Sequence, residues 1–145
     1  MVDQTNNEKL EAIELLYRGY RAFTEQADRI LEKRGLNRAH HRILYFVGRN
    51  KDGSVADLLD ALSISKQALN VPLRQLIGME LIDSKRTHAD ARIKMLQLTP
   101  SGKRLESRLT QAQSRLLTTV FEEAGPDAED SWIEVMRALS NSSSS

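Results

Sequence analysis

The chain has 145 residues, 40% of them hydrophobic and 28% charged, which suits one compact domain or a small domain with an appended assembly element and is too apolar for a disordered chain. There is no cysteine, so disulfide staples, thiolate metal sites and thiol redox switches are excluded, and the formal net charge is only +1. No apolar run approaches the roughly 20 residues that span a bilayer, and the polar, acidic stretch over residues 1–9 predicts no secretory signal and a cytoplasmic location.

Residues 8–33 place Leu10, Ile13, Leu16, Tyr17, Tyr20, Phe23, Ala27, Ile30 and Leu31 at steps of three or four, which predicts an amphipathic helix. Gly35 is a reasonable stop. Asn37 is positioned to cap a second helix over residues 38–49, with Ile43, Leu44, Phe46 and Val47 inward. Asp52-Gly53 marks a turn. Ser54, with Asp57 three residues on, caps a short helix that buries Val55, Leu58, Leu59 and Leu62. Ser65 caps the next, whose stripe is Leu69, Leu73, Leu76 and Ile77. Two short helices in this relation form a helix-turn-helix. Pro72 inside the second removes a backbone donor and predicts a kink, or two shorter helices.

The period then changes. Residues 81–87 and 92–99 read as two strands around His88-Ala89-Asp90-Ala91, a hairpin directly behind a helix-turn-helix, which is a wing. Pro100 and Ser101 open a long helix with Leu105, Leu109, Ala112, Leu116, Val120 and Phe121 on one side. Gly125-Pro126 ends it. Residues 127–139 form a last helix with Trp132, Val135, Met136 and Leu139 aligned. The four serines at 142–145 are read as a disordered tail.

Charge is distributed unevenly along this plan. Residues 85–104 hold six bases (Lys85, Arg86, Arg92, Lys94, Lys103, Arg104) against Asp90 alone, and residues 120–145 hold six acids against Arg137. One part can face phosphates while another faces away, although a solvated face is the alternative.

The order of elements and the wing residues Asp90, Arg92, Leu98, Thr99 and Gly102 resemble the multiple antibiotic resistance regulator (MarR) family of bacterial transcription factors. The resemblance covers nearly the whole chain in element order and about residues 37–104 in motif. It implies a mainly α fold with a small β-hairpin: a winged helix-turn-helix domain at 37–101, dimerisation helices at 1–36 and 102–140, and a tail at 141–145. It also implies a homodimeric, sequence-specific regulator of double-stranded DNA, a repressor responsive to a small aromatic or anionic effector, on a near-palindromic operator in the bacterial nucleoid. This chain departs from the family pattern before the wing, where the family tends to place glycine ahead of Leu-Ile and Glu80 stands here.

The chemistry of a DNA reader selects residues. The start of the second helix of a helix-turn-helix meets base edges. Outside its apolar stripe lie Ser65, Lys66, Gln67, Asn70 and Arg74; Gln67 and Asn70 carry amides that suit adenine, and Lys66 reaches guanine or phosphate. In the wing, Arg92 can enter a narrow minor groove or fork onto phosphate, with Asp90 orienting it and Arg86 and Lys94 adding charge. For a homodimer, Phe23, Leu109, Leu116, Trp132 and Met136 are candidate interface residues, against the alternative that these helices fold back within one chain. For an effector, Tyr17, Arg18, His40, His41 and Tyr45 are candidates, with ordinary packing the competing explanation. Neighbouring helical residues point about 100° apart, so His40 and His41 cannot readily grip one metal ion together. No metal or cofactor is expected. No phosphate-cradling glycine loop, nucleophile motif or acid and base at useful spacing is present, so no enzyme is expected. The rival to a DNA reader is a winged helix used for protein contact.

Overall fold

The computed structural model describes residues 4–50, 53–86 and 94–143, without the side chains of Gln4, Thr5 and Arg86. The chain runs α1 (Gln4–Glu32), α2 (Arg38–Arg49), β1 (Gly53–Ser54), α3 (Val55–Leu62), α4 (Lys66–Gly78), β2 (Ile82–Arg86), β3 (Lys94–Leu98), α5 (Pro100–Ala124) and α6 (Ala128–Asn141). The expected helices all form, with α1 beginning earlier than its apolar period. β1 is an addition to the expected elements. It is two residues long, too short to show a period, and it pairs antiparallel with β3 (Gly53 to Leu96, Ser54 to Met95). β3 is therefore the middle strand, with β2 on its other side in a register from Ile82–Leu98 to Arg86–Lys94. Residues 87–93, with Asp90 and Arg92, lie outside the described residues.

Short polar residues start the helices as their chemistry requires. The Asn37 side chain accepts from the Ala39 N–H, Ser54 from Asp57, Ser65 from Ala68 and Thr99 from Gly102. The Asp57 carboxylate in turn accepts from the Ser54 N–H at 2.9 Å, completing a reciprocal box. Pro72 does not divide its segment: α4 is one helix from Lys66 to Gly78.

Two helices end in the same hydrogen-bonded loop. At the end of α1 the Leu36 N–H donates to Leu31 and the Gly35 N–H to Glu32. At the end of α4 the Leu81 N–H donates to Leu76 and the Glu80 N–H to Ile77. Both are Schellman closures, and each needs one left-handed residue. Gly35 supplies it at φ 71, whereas at the second site Glu80 holds φ 59. A side chain in that region costs about 1–2 kcal/mol, so the glycine preference at this point is a backbone requirement that this chain meets with strain.

A single core joins the second half of α1 (Ala27, Leu31) to Ile43, Leu44 and Val47 of α2, Leu58 of α3, and Leu69, Leu73 and Leu76 of α4. It continues through Leu81 and Ile82 to Leu96 of β3 and to Leu105 and Leu109 of α5. Each of these leucines, truncated to alanine, should cost about 2–5 kcal/mol. Leu109, one of the interface candidates, is fully buried within this core in the single chain. The stripe on α5 serves two purposes, and periodicity does not show where one gives way to the other. Beyond the core, Leu10, Ile13, Leu16, Tyr17 and Tyr20 of α1 and Val120, Trp132, Val135 and Leu139 of α5 and α6 are exposed. α6 contains no buried residue.

Two substitutions test this joint. Glu80→Gly should stabilise the fold by about 0.5–1 kcal/mol in urea or thermal unfolding, because relief of the left-handed strain exceeds the added chain entropy. Gly102→Ala should cost toward the upper end of roughly 1–3 kcal/mol, because a Cβ there would lie 2.0 Å from the Leu81 carbonyl oxygen, a backbone atom that cannot step aside.

Candidate nucleic-acid interface

α3 and α4 are joined by Ser63-Ile64-Ser65. Ser63 takes the left-handed conformation (φ 53) and its N–H closes onto Leu59, which turns the chain; Ser65 then caps α4. The sharp corner is thus made from two serines rather than a glycine. Ser65, Lys66, Gln67, Asn70 and Arg74 are all exposed: Ser65 and Lys66 at the start of α4, Asn70 on its flank, and Gln67 and Arg74 on the side away from Leu69, Leu73 and Leu76. All five candidate DNA-contacting residues are thus exposed, at the start of α4 and along its open sides. Lys94 is exposed at the start of β3, and Lys85 is exposed near the end of β2, opposite Met95. The backbone of Arg86 pairs with Lys94.

The base of the wing is fastened by Thr99. Its N–H donates to the Leu81 carbonyl at 3.1 Å, its hydroxyl donates to the Glu80 carbonyl at 2.6 Å, and the same Oγ1 accepts from the Gly102 N–H at 3.0 Å. Glycine is the only residue type that lets α5 approach the Leu81 backbone so closely at position 102. The Leu-Thr-Pro-Ser-Gly run therefore ties the end of α4, the first residue before β2, and the start of α5 to one another.

His40 positions α4 from inside. Its Nδ1 accepts from the Asn37 N–H at 3.0 Å. That assignment puts the ring proton on Nε2, which donates to Gln75 Oε1 at 2.7 Å. One buried ring thus closes the capping box of α2 and holds the last turn of α4. With both nitrogens engaged it has none left for an effector. The other effector candidates are spread apart. Tyr17 is 72% exposed and Arg18 pairs with Glu14 across one turn at 2.8 Å. Arg18 faces an open groove with Arg21, Glu25, Asp28, Arg29 and Arg38. Tyr45 lines a different groove, of about 400 Å³, walled by Phe23, Leu117 and Phe121 and edged by Thr110, Ser114 and Glu129. Phe23, Leu116 and Met136, three of the interface candidates, are partly buried, and Trp132 is exposed with its ring centroid 5.4 Å from that of Phe121.

Sequence reasoning missed a polar lock between α2 and α5. Glu106 is buried; its Oε1 accepts from Arg49 Nη1 at 2.6 Å and from the Thr110 hydroxyl at 2.7 Å. The Arg49 guanidinium also lies 4.3 Å above the Tyr45 ring. Arg49 and Glu106 are 57 residues apart, and no local pattern links them. A second tie, Arg38 to Asp28 at 2.9 Å, joins α1 to α2, and the hydrogen bond to Asp28 raises the Arg38 pKa. His41 sits half-buried nearby; desolvation lowers its pKa, opposed by the charges of Glu106 and Asp28.

With this geometry in place, known proteins give the same picture. The MarR family model matches residues 34–93. The chain is 36% identical over 135 residues to the HTH-type transcriptional regulator PetP of Rhodobacter capsulatus, covering 93% of this chain and 81% of the relative. The chain belongs to the MarR family. It is therefore a transcriptional regulator with a DNA-binding winged-helix fold. Staphylococcus aureus MarR in complex with salicylate and kanamycin superposes with a TM-score of 0.75 at 23% identity, over 94% of this chain and 91% of that one. A mutant of S. aureus MepR bound to an oligodeoxyribonucleotide superposes with a TM-score of 0.64 at 20% identity, over 90% of this chain and 96% of that one. These two likenesses are of fold. Among the described residues no helix is long and apolar enough to cross a membrane.

The His41 shift has a pH consequence. Its folded pKa lies below the ordinary 6.5, so the unfolded chain binds the proton more readily and stability falls as pH drops through about that value. In a comparison of melting temperatures at about pH 7.5 and 5.5, His41→Asn should lose less on acidification than the parent. An equal loss in both proteins would show that His41 does not titrate differently on folding.

Proposed function

We propose that this regulator is a ligand-responsive repressor that binds a near-palindromic operator as a homodimer in the bacterial cytoplasm. In this reading residues 37–101 read DNA, residues 1–36 and 102–140 build the dimer, and a small aromatic or anionic effector releases the complex. The observation that carries the DNA reading is the polar face of α4, which is exposed and held in one orientation by three buried leucines and the His40–Gln75 bond. Ser65, Lys66, Gln67, Asn70 and Arg74 meet the major groove; Arg86, Lys94 and Arg92, the last oriented by Asp90, meet phosphates or the minor groove. That the MepR neighbour was solved on an oligodeoxyribonucleotide supports the assignment.

The dimer reading rests on the apolar surface that one copy leaves bare: the first half of α1, the end of α5, and α6. Phe23, Leu116, Trp132 and Met136 lie on or beside it. A two-fold arrangement would set two recognition helices in successive major grooves. The effector reading is supported by the groove that contains Tyr45 and by the salicylate in the solved S. aureus relative. Tyr17, Arg18 and His41 are available to such a ligand only if the second copy brings them to the same site.

Selection of bound fragments from a random duplex pool tests the central claim, with Arg92→Ala in parallel. The expected outcome is a near-palindrome whose affinity falls steeply between about 50 and 200 mM salt and is weaker in the variant. Recovery of no preferred sequence at low salt would point to a winged helix that contacts protein instead.

A further inference from the structure

The rotational setting of α4 has a chemical consequence. Leu69, Leu73 and Leu76 are buried on one side, and Gln75 is tied to His40. At about 100° per residue, the direction opposite that leucine stripe falls between Gln67 and Val71, each within about 30° of it. Val71 is 63% exposed there, a bare β-branched side chain between Gln67 one turn before it and Arg74 one turn after it, next in sequence to Asn70. The three polar residues can offer hydrogen bonds or charge to a base edge. Valine offers only apolar contact and the exclusion of water.

We infer that Val71 is a specificity-determining residue that reads the 5-methyl group of thymine. The inference rests on the DNA reading proposed above. In the major groove the thymine methyl is the one apolar group among base-edge donors and acceptors. The amides of Gln67 and Asn70 suit the N6 and N7 atoms of adenine, and the partner of every such adenine carries that methyl. The side chains at 67, 70 and 71 then form one reader of A·T pairs, in which the amides take one strand and the valine takes the other. A half-site containing adenine and thymine side by side follows from this arrangement. An isolated apolar residue on a surface is common, and such a residue would have no preference for a methylated base.

The test uses the full chain and its selected operator. Each thymine of one half-site is replaced in turn by deoxyuridine, which removes the methyl group and nothing else. Binding is measured for the parent, Val71→Ala and Val71→Ile. One or two positions should weaken the parent about fourfold, the worth of one buried carbon. Val71→Ala should be indifferent to the same replacement, and Val71→Ile, which keeps the apolar branch, should retain the penalty. Tight operator binding by the parent with no uridine-sensitive position overturns the inference and leaves the DNA reading intact. Equal sensitivity in parent and Val71→Ala also overturns it. Failure to select any operator removes both readings together.

Discussion

Much of this structure depends on how closely α5 approaches the backbone at Leu81. There the Thr99 hydroxyl both donates to Glu80 and accepts from Gly102, while its N–H reaches Leu81. Three bonds from one residue join the exit of α4, the entry to the wing and the first turn of α5. Because the contact is between backbones, its tolerance is set by the absence of a single carbon at Gly102. α4 and the wing thereby share one root with α5.

A comparable constraint governs the link between α2 and α5. Glu106 is buried and would be costly without partners. Arg49 and Thr110 supply them, and Arg49 reaches in from a partly exposed position while stacking on Tyr45. Gly48 keeps the neighbouring space narrow, since a Cβ there would meet Leu98 at 3.0 Å. The winged domain is thus tied to the helix that leaves it by geometry as well as by apolar contact, next to the groove that holds Tyr45.

Much of the fold is legible in the sequence because its boundaries are marked by local chemistry. Asn37, Ser54 and Ser65 each stand before an apolar period and each caps the helix that follows. The wing shows itself in a change of period and in the Leu98-Thr99-Gly102 pattern. What stays hidden depends on distant partners. Nothing near Glu80 announces a left-handed residue except the glycine usually found there. The stripe containing Leu109 and Leu116 is continuous in sequence, yet only its first part enters the protomer core. His40 is a candidate in sequence because a histidine can pair with a carboxylate; its neighbours in the fold, Asn37 and Gln75, engage both nitrogens. Of the candidate DNA contacts, the polar helix face follows from periodicity. Val71 escapes that reading because an apolar residue carries no hydrogen-bonding group to mark it.

Pro72 gives α4 a mechanical division. Without its N–H, the rung that would close onto the Ala68 carbonyl is missing, although the helix continues. Gln67, Asn70, Val71 and the buried Leu69 precede that gap. Leu73, Leu76, the His40-bound Gln75 and the exposed Arg74 follow it. A helix bends most readily where a rung is absent. The softest point of α4 therefore lies inside its anchored length, with Leu69 holding the turn before it and Leu73, Leu76 and Gln75 the turns after it, like a hinge pinned on both leaves.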